Sequence, residues 1–167
     1  MHAPLIVVTL DSGKTRDLSE FYKDRPLVLV FLRHFGCMFC REQIAGLRPY
    51  KQENIVLVSM GKVSEAAEFK SKMEIPQTII SDPNKQLYEA FGLRRGSVSQ
   101  IVSPTVARRS IAAFKAGHRA GMLKNDPWMM AGVFRVDPDG EVSFAHYASD
   151  IADNLPGEEI ARLLRTK

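Results

Sequence analysis

Three short apolar runs limit what this chain can fold into. PLVLVFL (26–32), NIVLVSM (54–60) and QTIIS (77–81) carry few polar residues, so strands built from them need cover on both faces. The stretches between them have helical periodicity. Ile44, Leu47 and Tyr50 recur at i, i+3 and i+6 after Cys37, with Pro49 kinking or ending that helix near residue 48. Ala66, Phe69 and Met73 recur at i, i+3 and i+7 within Ser64–Met73. A third helix is expected over Lys85–Phe91, between the turn DPNK and a C-terminal cap at Gly92. Strands alternating with helices in this way predict parallel strands joined by right-handed crossovers, an α/β fold.

Around this centre, LIVVTL (5–10) reads as a strand ending in a turn at Asp11–Gly13, and Leu18–Tyr22 as a helical turn capped by Asp17 or Ser19. The alternation breaks at Leu93. An insert of about 93–130 holds a helix near Thr105–Lys115, with Ala107, Ile111 and Phe114 as its apolar face and Arg108, Lys115 and Arg119 opposite. AGVFRVDPDGEVSFAHY is a hairpin turning at DPDG, which adds antiparallel strands to the parallel ones and makes the sheet mixed. A closing helix over Leu155–Leu164 starts at Pro156 and Gly157 and turns Ile160, Leu163 and Leu164 inward. Without repeats, linkers or low-complexity segments, residues 1–167 read as one domain, long enough to bury a core unaided.

Composition excludes several classes. At 45% hydrophobic and 25% charged residues this is a globular chain, and no apolar run approaches the roughly 20 residues that cross a bilayer. MHAPLIVVTLDSG lacks the basic region and cleavage site of a signal peptide, so a cytoplasmic location is expected. A net charge of +4 does not call for a nucleic-acid partner. The positive excess concentrates in the basic stretch 93–124, which contains no acid: a solvated face, or an attractor for anions.

Cys37 and Cys40 are the only cysteines. They follow a buried strand and Gly36, where glycine permits a sharp change of direction, and they open a helix. At i and i+3 their sulfurs share one side of the first turn, within reach of a disulfide. The unpaired N–H groups and partial positive charge of a helix N-terminus favour thiolate, lowering cysteine pKa from about 8.5 into the range of about 3.5 to 7.5. Arg33, His34 and Arg41 add positive charge nearby in sequence. Zinc ordinarily takes four protein ligands, and here only the two cysteines and His34 are at hand, so no metal and no organic cofactor are expected. Two incidental core thiols fit the flanking arginines less well than a redox couple does. In the usual geometry the first cysteine is the exposed nucleophile and the second resolves the mixed disulfide.

LVLVFLRHFGCMFCREQ, AGVFRVDPDGEVSFAH and the C-terminal helix resemble the peroxiredoxin-like (AhpC/TSA antioxidant) proteins of the thioredoxin superfamily, a group similar to the prostamide/prostaglandin F synthases and the selenoprotein U relatives. The resemblance covers nearly the whole chain and is most specific at FLRHFGCxFCRE. It implies a thioredoxin-like fold, a central mixed sheet flanked by helices with a helical insert before the hairpin. It also implies a thiol oxidoreductase working through Cys37 and Cys40. The expected partners are a small-molecule or protein oxidant (a peroxide, an endoperoxide or a disulfide) and an external thiol reductant such as thioredoxin or glutathione. The chain departs from the family pattern. Counting back from Cys40, Cys37 holds the place of the usual threonine and Arg33 that of the proline. Ala131 stands where an arginine usually precedes the strand of the hairpin, and the cis-proline of thioredoxins has no counterpart. By the peroxiredoxin count Cys40 is the alternative attacker, and a non-catalytic binding or metal-carrying module is the alternative function.

Other residues have two readings each. His34 is a general acid or a solvated loop residue, the second being favoured, and His146 is structural. Trp128, with Met129 and Met130, lines a substrate pocket, forms a homodimer contact or fills core. Arg94, Arg95, Arg108 and Arg109 either bind an anionic head group of the substrate or form a solvated face.

Overall fold

β3 (Leu27–Phe31) is the axis of the molecule. None of its five side chains reaches solvent, and they leave the strand alternately on two sides. Val28 and Val30, with Leu32 beyond the strand, enter one apolar cluster; Leu27, Leu29 and Phe31 enter another. Each such side chain contributes about 1.5–3 kcal/mol when fully buried, which commits the run to the middle of a sheet. The computed structural model describes residues 1–121 and 125–166; part of the basic stretch, Met122 to Lys124, lies outside the described residues.

Chain order gives β1 (Val7–Leu10), β2 (Thr15–Asp17), β3, α1 (Met38–Leu47), β4 (Ile55–Ser59), α2 (Val63–Met73), β5 (Thr78–Ser81) and α3 (Gln86–Ala90). α4 (Val98–Ile101), α5 (Pro104–Lys115), β6 (Gly132–Val136), β7 (Val142–Tyr147) and α6 (Gly157–Leu163) follow. The seven strands form one sheet in the order β2-β1-β5-β4-β3-β6-β7. β3, β4 and β5 are parallel, as the alternation predicts. β1 runs antiparallel to β5, and β6 antiparallel to β3 with Phe31 opposite Gly132. The expected hairpin is β6–β7, with a bulge at Arg135/Val136.

α1, α2 and α6 cover the face that holds Val28, Val30, Ile44, Phe69 and Ile160, and both cysteines belong to that layer. The other layer is aromatic: Phe31 packs edge-on to Tyr88 and Phe134 with ring centres 5.0 and 5.4 Å apart. α1 and α6 meet backbone to backbone. A Cβ on Gly157 would lie 2.1 Å from the Gly46 carbonyl oxygen, so the helices touch only because that side chain is absent. Gly157→Ala is expected to destabilise the fold by about 2 kcal/mol or more through forced separation of the helices, read as a lower denaturation midpoint.

The structure corrects two expectations. α5 turns Val106 and Ala113 inward, whereas Ile111 and Phe114 are 58% and 55% exposed. Ala107, the third residue of the expected face, is exposed as well, so the buried stripe lies one position round the helix from the expected one. Leu5 is exposed and β1 begins at Val7; β2 and α4 are additional elements. Gly36 lies in the turn expected ahead of α1, closed by Cys37 N–H donating to the His34 carbonyl at 3.0 Å, and its own carbonyl accepts from Gly121 N–H at 2.9 Å.

Candidate active site

β3 ends against a fixed anchor. The Tyr88 hydroxyl, fully buried, lies 2.5 Å from the Leu32 carbonyl oxygen and 3.0 Å from that of Val58, and so ties the exit of β3 to β4. The chain then passes through Arg33–Gly36 to Cys37, the N-cap of α1, with Cys40 one turn inside. Both thiols are free.

Arg33 organises the site. It is 4% exposed, and its Nη1 donates to Cys37 Sγ at 3.3 Å. Nε donates to the Met129 carbonyl at 3.1 Å and Nη2 to that of Pro127. Its backbone N–H points at Cys40 Sγ, 3.4 Å away. Among the described residues no carboxylate pairs with this guanidinium. An unpaired buried cation costs several kcal/mol, and the one group in contact able to supply a negative charge is the Cys37 sulfur.

The two thiols are driven apart in acidity. Hydrogen bonding from the Cys40 thiol, against the opposing effect of burial, and the Arg33 charge bring Cys37 down to about 6. The Cys40 thiol is pushed well up, because it donates to Cys37 and is itself wholly buried. The pair is thus polarised, Cys37 toward thiolate and Cys40 toward thiol. Cys37 is not the exposed nucleophile expected: it is 4% exposed and Cys40 1%.

An apolar cleft of about 410 Å³ leads to Cys37. Met38, Phe39, Ile101, Trp128 and Ile151 are its large apolar lining residues, and Arg33 and His34 also line it. Trp128 takes the pocket position, while Met129 and Met130 are buried in the core. Ile101 and Ile151 escaped sequence reasoning, because nothing local marks residues that meet only when α4 and the loop after β7 come together. The carbonyls of Pro127 and Met129 escaped it too, since backbone acceptors leave no trace in residue type.

The remaining candidates separate. His34 is buried, not solvated, and burial followed by the charges of Arg33 and Arg41 lowers it to about 4. It is therefore neutral at physiological pH and adds no positive charge; its Nδ1 accepts from Gly36 N–H at 3.1 Å, which places its own hydrogen on Nε2. Arg41 braces the loop instead of touching a thiol, donating from Nε to the Phe35 carbonyl at 3.0 Å. Arg94 and Arg95 do not line the cleft: Arg94 is exposed, and Arg95 pairs with Asp126 at 3.2 Å. Arg109 donates to the Ala152 carbonyl and Arg108 is exposed. His146 lies 3.5 Å from Asp153, tying β7 to the following loop.

The family model described as AhpC/TSA antioxidant enzyme matches residues 49–150. A prostamide/prostaglandin F synthase of Salmo salar is 30% identical over 92% of this chain and 81% of its own length. The chloroplastic thioredoxin-like protein AAED1 of Arabidopsis thaliana is 27% identical, over 92% of this chain and 71% of its own. Peroxiredoxin-like 2C of Bos taurus is 26% identical, over 92% and 74%. Among solved structures, peroxidoxin BcpB from Mycobacterium tuberculosis superposes with a TM-score of 0.69 at 17% identity, over 99% of this chain and 94% of that one. It shares the fold, a thioredoxin-like sheet of the peroxiredoxin kind. Since the matched segment spans more than half of the residues, the chain belongs to the AhpC/TSA antioxidant enzyme family, as a peroxiredoxin-like member.

Proposed function

We propose that this protein is a thiol peroxidase that reduces the O–O bond of an apolar organic peroxide through a Cys37–Cys40 dithiol/disulfide cycle. The observation that carries the reading is the buried Arg33 guanidinium, whose contact able to bear negative charge is the Cys37 sulfur. The Cys37 thiolate attacks one peroxide oxygen, the O–O bond breaks, and the alkoxide takes up a proton and leaves as an alcohol. Cys37 is then a sulfenic acid. The Cys40 thiol, held protonated next to it, attacks that sulfur; an S–S bond forms and the oxygen leaves as water. Two electrons and two protons from an external thiol system, thioredoxin or glutathione, restore the dithiol, as suits a cytoplasmic location.

Arg33 reaches the site from β3. Phe31 pairs with Gly132, so the backbone just beyond Phe31 runs beside Ala131, the position where the family resemblance expects an arginine. This supports Arg33 as a substitute for that missing cation. The wall of Met38, Phe39, Trp128 and Ile151 favours a substrate with a bulky apolar substituent.

The test is a titration of the reduced protein with cumene hydroperoxide and with hydrogen peroxide. Both thiols are expected to disappear together, with a mass loss of two hydrogens, and the aromatic peroxide to react at least about ten-fold faster through its contact with the cleft. Retention of both thiols would sink the reading in favour of a non-catalytic module.

A further inference from the structure

The insert between α3 and β6 presents a surface that thiol chemistry leaves unused. α5 turns Val106 and Ala113 inward and its large apolar residues, Ile111 and Phe114, to solvent. Val98 in α4 and Val102 just after it are also exposed. Arg94, Arg108, Lys115 and Arg119 are interleaved with them, and none pairs with a carboxylate among the described residues. The guanidinium of Arg119 lies 3.9 Å from the centre of the Phe114 ring, an apolar–cationic unit facing outward. Residues 93–121 include no acid, while the remainder of the chain has more acids than lysines and arginines.

Scattered single apolar residues on a surface are ordinary, but here they share a short segment with unpaired cations of one sign. An anionic lipid surface matches both properties. Its head groups take the cations, the acyl boundary takes Ile and Phe, and long basic side chains reach between the two. An acidic protein surface would answer the charge and leave the apolar side chains without a stated match. The inner side of the same insert points to lipid as well: Ile101 of α4 and Ser110 of α5 help to wall the apolar cleft over Cys37.

We propose that the outer face of α4 and α5 docks the protein on anionic phospholipid membranes, bringing the apolar cleft to the lipid that supplies its peroxide. Docking stands on the surface chemistry alone; only the delivery of substrate rests on the thiol peroxidase reading. The experiment is co-sedimentation with phosphatidylcholine vesicles, with and without phosphatidylserine. Wild type is expected to sediment with the serine-containing vesicles only and to be released by salt. Lys115→Gln/Arg119→Gln should weaken partition about 25-fold, at about five-fold per cation. Ile111→Ser/Phe114→Ser should weaken it about ten-fold or more. The rate of Cys37 alkylation should be unchanged in both variants, which shows that they fold. Absence of sedimentation would overturn the proposal in favour of an acidic protein surface. Equal binding to both vesicle types, or full binding by the Ile111/Phe114 variant, would overturn it as well. Cys37→Ser keeps its vesicle binding; a wild-type protein that binds the vesicles yet consumes no peroxide counts against the thiol chemistry and not against docking.

Discussion

Cys37→Ser is expected to stop peroxide consumption, by at least roughly 10³-fold, while Cys40→Ser completes a first turnover and then stalls. The asymmetry follows from the acidities. Cys37 is brought to about 6 by the Cys40 thiol and Arg33, so it is the thiolate available at neutral pH. Cys40 is raised by donating to Cys37 and by burial, and serves as proton holder and then as resolving thiol. In Cys40→Ser a hydroxyl keeps a donor beside Cys37, so the first step survives. The sulfenic acid has no partner, and dimedone should trap one equivalent per chain. Rapid mixing of each variant with cumene hydroperoxide, followed by mass spectrometry, checks both halves. Trapping in Cys37→Ser with none in Cys40→Ser would assign the attack to Cys40, the order the peroxiredoxin count suggests.

Arg33→Met is expected to slow the first step about ten-fold at pH 7 and to lose that deficit at high pH. The sign follows from the reactive form. Thiolate reacts, so the wild-type rate is present above a pKa of about 6 and lost as pH falls through it. Without the guanidinium, 3.3 Å from Cys37 Sγ, the inflection moves up toward the ordinary thiol value of about 8.5. Between the two values the variant is the slower; above both, the rates converge. Iodoacetamide alkylation gives the same curve without peroxide. Arg33→Lys should recover much of the acidity, since it restores charge, but a single ammonium cannot repeat the three-way contact with Cys37, Pro127 and Met129. An unmoved inflection in Arg33→Met would show that Arg33 only holds the loop in place.

The centre of the fold was legible because a doubly covered strand must be apolar along its length. PLVLVFL and NIVLVSM could be little else, and the turn DPDG marks the hairpin between β6 and β7. The helix of the insert was legible and its face was not. Periodicity locates a helix with apolar residues at 107, 111 and 114, but which stripe faces the protein is decided by tertiary packing, and α5 buries Val106 and Ala113, one position round. At the site, the cysteine spacing announced the pair. Sequence proximity overstated His34 and Arg41: burial strips the first of its charge, and the second turns back to its own loop. Arg94 and Arg95 are drawn elsewhere, Arg95 to Asp126, an assignment visible only after folding.

The grip of Arg33 on two backbone carbonyls has a consequence for how this protein can diverge. One guanidinium acts with the Cys40 thiol on the acidity of Cys37 and also fastens the residues on either side of Trp128, which lines the cleft. Reactivity and substrate shape thus share a single mechanical joint. A change at 127–129 that reshapes the cleft also moves the cation on the thiol, and a change that retunes the thiol loosens the wall. Descendants of this chain would be expected to alter the two properties together, or to vary the cleft at Ile101 and Ile151, which line it without bonding to Arg33.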